Sequence, residues 1–202
     1  TLSYNSLAHR TTWLRSDFLL HLYYGKKAEG CMDYLLTFYD RGFSGNPYDA
    51  GSDKTYSMDS LPQEFPSLGT GDYRTPACII KNTDRTYSSD FRYVSHSIRD
   101  GKYSLKGLPA VYADDTEAQT LEVVLEDRVS KVRAVLLYGV LPEYDVITRS
   151  VKIVNASEGH VSVKKLAPAC LDMVGGDYDF ITFYGRHAME RNYQRLPIGH
   201  GV

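Results

Sequence analysis

Thr120-Leu121-Glu122-Val123-Val124-Leu125-Glu126, the break from Asp127 to Lys131, and Val132-Arg133-Ala134-Val135-Leu136-Leu137-Tyr138 together decide the fold of this 202-residue chain. Two runs of β-branched and apolar residues divided by a short polar segment are the signature of a β-hairpin. The same pattern repeats outward in both directions. Toward the C-terminus, Asp145 to Val154 is strand-like and turns at Asn155-Ala156-Ser157-Glu158-Gly159. His160 to Leu166 returns, and Tyr178 to Tyr184 closes the series. Toward the N-terminus, Gly107 to Tyr112, Phe91 to Ile98 and Ala77 to Lys81 are set apart by turn formers at Asp100-Gly101 and Asn82-Thr83-Asp84. Phe18 to Tyr24 and Thr11 to Arg15 read as two earlier strands, and Cys31 to Phe38 fits either a short helix or a strand. About ten short strands with regular turns and no long amphipathic helix predict an all-β fold, a large antiparallel sandwich of two packed sheets.

Two neighbouring stretches break this rhythm. Asp40-Arg41-Gly42-Phe43-Ser44-Gly45-Asn46-Pro47-Tyr48 leads into a polar tract ending at Lys54. Tyr56 to Arg74 then carries Pro62, Pro66, Gly69 and Gly71 among the apolar side chains Leu61, Phe65 and Leu68. Neither helical nor strand periodicity fits the second stretch. The residues before the prolines are pushed toward extended conformations, and the glycines permit positive φ. Its apolar residues argue against a solvated linker. A long, ordered, partly buried loop is expected, and such loops usually serve function.

Composition excludes several classes. Apolar residues make up 43% and charged residues 24%, with a net charge near −2, so no electrostatic footprint for nucleic acid or an anionic membrane is present. The longest apolar runs fall far short of a membrane span. Three widely spaced cysteines, Cys31, Cys78 and Cys170, form neither a disulfide framework nor a zinc motif, which favours a reducing, cytoplasmic compartment. The chain opens at Thr1, so secretion stays open. Seventeen tyrosines against one tryptophan suit strands and half-buried surfaces, and their rings with polar tips also suit sugars.

The residues alone supply no complete catalytic set. Gly69-Thr70-Gly71 lacks the helix and Lys-Ser/Thr of a phosphate loop. The six histidines are never at ligand spacing, so no metal or other cofactor is expected. Carboxylate pairs such as Asp114-Asp115 fit solvated turns, and no serine has a nucleophile-elbow context. What remains is a loop surface carrying Asp40, Arg41, Asp59, Glu64, Asp72, Tyr73 and Arg74. Charges beside aromatics can bind a hydroxyl-rich ligand, or they can pair with one another to hold the loop.

Six ordered segments carry a family resemblance: residues 19–27 (Leu-Leu-His-Leu-Tyr-Tyr-Gly-Lys-Lys), 40–47 (Asp-Arg-Gly-Phe-Ser-Gly-Asn-Pro), 61–74, 91–96 (Phe-Arg-Tyr-Val-Ser-His), 107–112 and 143–150. Together they resemble the N-terminal domain of the glycoside hydrolase family 36 α-galactosidases, over nearly the whole chain. The resemblance implies a β-supersandwich, here residues 1–202, with a catalytic (β/α)₈ barrel expected downstream. It implies retaining hydrolysis of terminal α-1,6-linked galactose in melibiose- and raffinose-type oligosaccharides, by two barrel aspartates about 5 Å apart. No catalytic residue is therefore expected in this chain.

The resemblance further implies that this part shapes the substrate pocket and contributes to the interface of a homo-oligomer, a tetramer in bacterial members. Asp40 matches a family aspartate of the substrate pocket, with Arg41 and Phe43 beside it. Glu64, Asp72, Tyr73 and Arg74 fall on the loop expected to line the pocket or meet the barrel. Where the family usually reads Gly-Ala-Trp, this chain has Gly185-Arg186-His187, while Glu190 and Arg191 are retained as a candidate pair. A stand-alone carbohydrate-binding or adhesion module is the alternative expectation.

Overall fold

The computed structural model describes residues 17–24, 33–36, 46, 51–55, 57–108, 110–173 and 176–199. The strand expected at Thr11 to Arg15 lies outside them. The chain divides into two units, Thr1–Asp172 and Met173–Val202. Every regular element of the described residues is a strand or a single 3-10 turn, so the fold is all-β.

The first unit is built on an antiparallel meander of β2 (Phe91–Asp100), β3 (Gln119–Asp127), β4 (Val132–Leu141) and β5 (Val146–Asn155), paired in that order. β1 (Cys78–Lys81) pairs antiparallel with β6 (Ser162–Leu166) as a second small sheet. The opening hairpin is β3–β4. Its turn is fixed by Asp127, a buried carboxylate that accepts from Val129 N–H at 2.9 Å and Ser130 N–H at 3.3 Å. Leu121, Val123 and Leu125 alternate inward from β3 and meet Ala134, Leu136 and Tyr138 of β4, with Ala77, Cys78 and Ile80 from the second sheet. That shared core makes the two sheets a sandwich, because each sheet has an apolar face to remove from water.

β4 is buried along nearly its whole length, on both faces. Its outer side chains Val135 and Leu137 are covered by Tyr103 and Leu105 from the connection after β2. Thr120 locks that connection: its hydroxyl donates to Gly101 C=O at 2.7 Å and accepts from Tyr103 N–H at 2.9 Å. Gly101 sits at φ 79°, which is why the Asp100-Gly101 turn needs glycine.

Three expectations change. Within Gly107 to Tyr112 the described residues form no strand: Gly107 has φ 76° and Tyr112 is 93% exposed. Phe18 to Tyr24 forms no sheet strand and is bridged, at Leu20–Gln63, to the loop that follows rather than to a sheet. Cys31 to Phe38 resolves, within its described part, to a 3-10 turn at Asp33–Leu35.

The second unit is a hairpin of β7 (Asp179–Arg186) and β8 (Met189–Pro197). β8 escapes sequence reading because its charged residues mask the period and no core buries it. Phe183 and Tyr193 meet edge to face at 5.7 Å, and Arg195 pairs with Asp179. His187 lies in the turn, and Ala188 there has φ 62°. The Glu190 carboxylate accepts from Ala188 N–H at 2.9 Å and so caps this turn.

Candidate functional site

The loop from residue 57 to Arg74 is ordered by stitching rather than by regular structure. Its middle runs beside the N-terminal segment: His21 N–H donates to Pro62 C=O at 2.7 Å and Glu64 N–H to Leu19 C=O at 2.9 Å. Its later part is held by Ala77 N–H to Pro66 C=O and Ser89 N–H to Leu68 C=O, both 2.9 Å, and by the Ser67 hydroxyl on Ser89 C=O at 2.6 Å. Leu61 packs with Phe18 and Met58, and Phe65 enters the main core against Phe91, ring centroids 5.8 Å apart. Leu68, expected to be buried with them, is 38% exposed. Gly69 crosses Ser88 at φ 101°, and a Cβ there would lie 2.8 Å from the Ser88 Cα.

Two buried carboxylates organise this loop. Glu64 accepts from the Tyr138 hydroxyl at 2.5 Å, His21 Nδ1 at 2.8 Å and Arg149 Nη2 at 3.4 Å. Its charge is met by Arg149, whose guanidinium also lies 4.1 Å above the Tyr138 ring. Burial, and then the Glu64 charge, push the Tyr138 phenol well above its ordinary range, so it stays protonated and donates. Asp72 forms a two-point pair with Arg74, Nε to Oδ1 at 2.9 Å and Nη2 to Oδ2 at 2.8 Å. It also accepts from Arg74 N–H and Gln63 Nε2, each at 3.0 Å. Burial alone would raise the Asp72 carboxyl, but Arg74 and Gln63 outweigh it and hold it below its ordinary value. Arg74 in turn donates to Leu61 C=O at 2.7 Å and reaches Asp172 at 3.5 Å. Tyr73, between the paired residues, is 82% exposed.

Of the sequence-derived candidates, Asp40, Arg41 and Phe43 lie outside the described residues. Asp72 and Arg74 are brought together, Glu64 is set in a separate network, and Tyr73 faces solvent. Sequence reasoning did not connect His21, Tyr138 and Arg149 to Glu64. They stand 43, 74 and 85 positions away, and no local pattern joins them. All four line a pocket of about 120 Å³, completed by Leu22, Tyr23, Tyr24, Ile147, Ala169 and Leu171. Among the described residues no group of three or more His, Cys, Asp or Glu side chains could hold a metal ion. Nor is any helix among them long and apolar enough to cross a membrane. Among the described residues the arrangement is two sets of paired, buried charges, one of which borders the pocket.

Comparison with known proteins gives this scaffold a family. The glycosyl hydrolase family 36 N-terminal domain matches residues 17–202. The bifunctional α-galactosidase/sucrose kinase AgaSK of Mediterraneibacter gnavus is 59% identical over 198 residues, 96% of this chain and 21% of that protein. α-Galactosidase AgaA of Geobacillus stearothermophilus is 36% identical over 190 residues, 93% of this chain and 26% of that protein. Among solved structures, the galactosidase domain of AgaSK aligns with a TM-score of 0.88 at 60% identity, over 92% of this chain and 26% of that one. A variant of AgaA in complex with raffinose aligns at 0.84 and 35% identity, over 92% and 26%. This chain thus spans 21% and 26% of the lengths of the two curated relatives. With a family match over residues 17–202 and these identities, the chain belongs to the glycosyl hydrolase family 36 N-terminal domains.

Proposed function

We propose that this chain is the N-terminal part of a retaining α-galactosidase that removes terminal α-1,6-linked galactose from melibiose- and raffinose-type oligosaccharides. In this reading the chain carries no catalytic residue. It shapes the substrate pocket of a downstream barrel, in its own or a neighbouring subunit of a homo-oligomer. Asp40 accepts from sugar hydroxyls, because one carboxylate can take two adjacent hydroxyls at once. Arg41 and Phe43 support it, and the loop carrying Glu64, Asp72, Tyr73 and Arg74 backs that surface. The observation that carries the reading is the 60% identity and 0.88 TM-score with the galactosidase domain of AgaSK.

The test is hydrolysis of an aryl α-galactoside. The 202-residue chain is expected to be inactive and a longer chain with the barrel active; turnover by the 202 residues alone would refute the placement of catalysis. In the longer chain, Asp40→Ala is expected to lower kcat/KM for melibiose about 10–100-fold, the loss of one charged hydrogen-bonding group. Unchanged kinetics in a folded variant would remove Asp40 from the pocket.

A further inference from the structure

The β7–β8 hairpin has the composition of an interior element. An antiparallel sheet with one face in water alternates polar and apolar residues along each strand. β7 instead reads Phe180-Ile181-Thr182-Phe183-Tyr184, with large apolar side chains at adjacent positions and therefore on opposite faces. The register with β8 extends both faces. Phe180 lies opposite Leu196, with Tyr184 farther along the same face. Phe183 lies opposite Tyr193, with Ile181 on their face. All six are between 48% and 66% exposed.

The edges are open as well. Among the described residues β7 and β8 pair only with each other, and one bond from Ile198 N–H to Tyr178 C=O, at 2.8 Å, prolongs their ladder. A two-stranded hairpin alone is marginal in water; a third strand or a packed layer stabilises it. Apolar surface of this kind marks a contact with more protein.

The occupants that fit such a surface differ in what they cover. A second copy seated by two-fold symmetry, or a flat partner, takes one face out of water and leaves the other wet. Polypeptide that follows the hairpin in its own chain can add a strand at an edge and a layer on each face, and it arrives tethered, at high effective concentration. The choice of this occupant rests on reading the chain as the N-terminal part of a longer protein. The chain matches an N-terminal domain and spans 21% and 26% of the two curated relatives. β8 ends at Pro197, so on that reading the continuing polypeptide starts beside both uncovered faces.

We propose that the hairpin is an interior element of the longer protein, one edge joined by a further strand and both faces covered by polypeptide that follows residue 202. The test is amide hydrogen exchange in the barrel-carrying protein, read by mass spectrometry over residues 179–197. These amides are expected to exchange at least about 100-fold more slowly than in an unstructured peptide of the same sequence, whatever the protein concentration. Rapid exchange in the folded, unmodified protein would overturn the proposal. So would protection that is lost on dilution to the monomer, which assigns the cover to a second copy.

Substitutions then probe the faces separately. Phe180→Asp and Phe183→Asp, on opposite faces, are each expected to speed exchange of the hairpin at least about tenfold. Val129→Asp, in the β3–β4 turn where the side chain is 90% exposed, is expected to leave it unchanged. Sensitivity on one face alone would mean a one-sided contact and refute the enclosure. Where a variant does not fold, exchange in the unmodified protein decides. A protected hairpin in a protein that does not hydrolyse an aryl α-galactoside upholds this inference and refutes the activity proposed above. An unprotected hairpin in an active enzyme does the reverse.

Discussion

Glu64 and Asp72 sit in one loop, both buried, and they are neutralised in different ways. Asp72 is held by the loop itself: Gln63, the backbone and fork of Arg74, and through Arg74 the carbonyls of Leu61 and Met58. Glu64 is held by residues brought from three other elements, His21 before the sandwich, Tyr138 in β4 and Arg149 in β5. The first network gives the loop its shape. The second fixes that shape to the sheet. Buried charge is costly in both places, but only the Glu64 network fails as a tertiary unit when its centre is removed.

The largest effect therefore belongs to Glu64. Glu64→Ala leaves the Arg149 guanidinium, His21 and the Tyr138 hydroxyl without their common acceptor, and breaking a buried pair from one side costs about 3–5 kcal/mol. Urea denaturation followed by circular dichroism should show that loss. Glu64→Gln keeps an acceptor for Tyr138 and should lose less. A Glu64→Ala variant within about 0.5 kcal/mol of the parent, the range of ordinary surface substitutions, would break the contrast, because Glu64 would then behave as a surface carboxylate.

Arg74 comes next. Its side chain is 38% exposed, so solvent screens its pair with Asp72, yet the Asp72 side chain is 1% exposed and loses its charged partner when the fork is removed. Arg74→Ala is expected to cost about 1–3 kcal/mol, from the buried acceptors left short of partners. Arg74→Lys retains the charge but not the planar two-point geometry, and should recover only part of that. Equal stability of the lysine variant and the parent would mean that charge alone, without the fork, holds the loop. Limited proteolysis at the exposed Tyr73 reports the same loosening locally.

What the sequence disclosed follows the same division. The β3–β4 hairpin, the Asp100-Gly101 turn and the ordered character of the 61–74 loop were legible, because each rests on neighbours: alternation, turn formers, prolines and glycines. The Asp72–Arg74 pair was readable as a possibility for the same reason. Glu64 was visible as a charge on the loop, but its partners lie too far along the chain for any local pattern to select them. Gly107 to Tyr112 misled because its apolar side chains imitate a strand while the positive φ of Gly107 departs from strand backbone. β8 was missed because an uncovered hairpin leaves no inside-outside contrast to read. Asp40, Arg41 and Phe43 owe their place in the proposed site to family resemblance.

The smallest effect, and the one that separates the two networks most cleanly, is their opposite response to pH. Asp72 has a folded-state carboxyl held below its ordinary 3.8, with Arg74 and Gln63 overcoming the upward push of burial. A carboxyl depressed by folding stabilises fully above its unfolded value, and that contribution disappears as pH falls below about 4 and through the folded value. Tyr138 is shifted the other way, chiefly by burial and then by the Glu64 charge, so its protonated phenol is favoured in the fold. That contribution is complete below about pH 10, the ordinary tyrosine value, and is lost as pH rises above it. Stability measured against pH should then show an acid limb reduced in Asp72→Asn and an alkaline limb reduced in Tyr138→Phe, each variant leaving the other limb as it was. If Tyr138→Phe altered the acid limb as strongly as Asp72→Asn, the two networks would be one coupled unit, and the division between a loop-shaping pair and a sheet-anchoring set would fail.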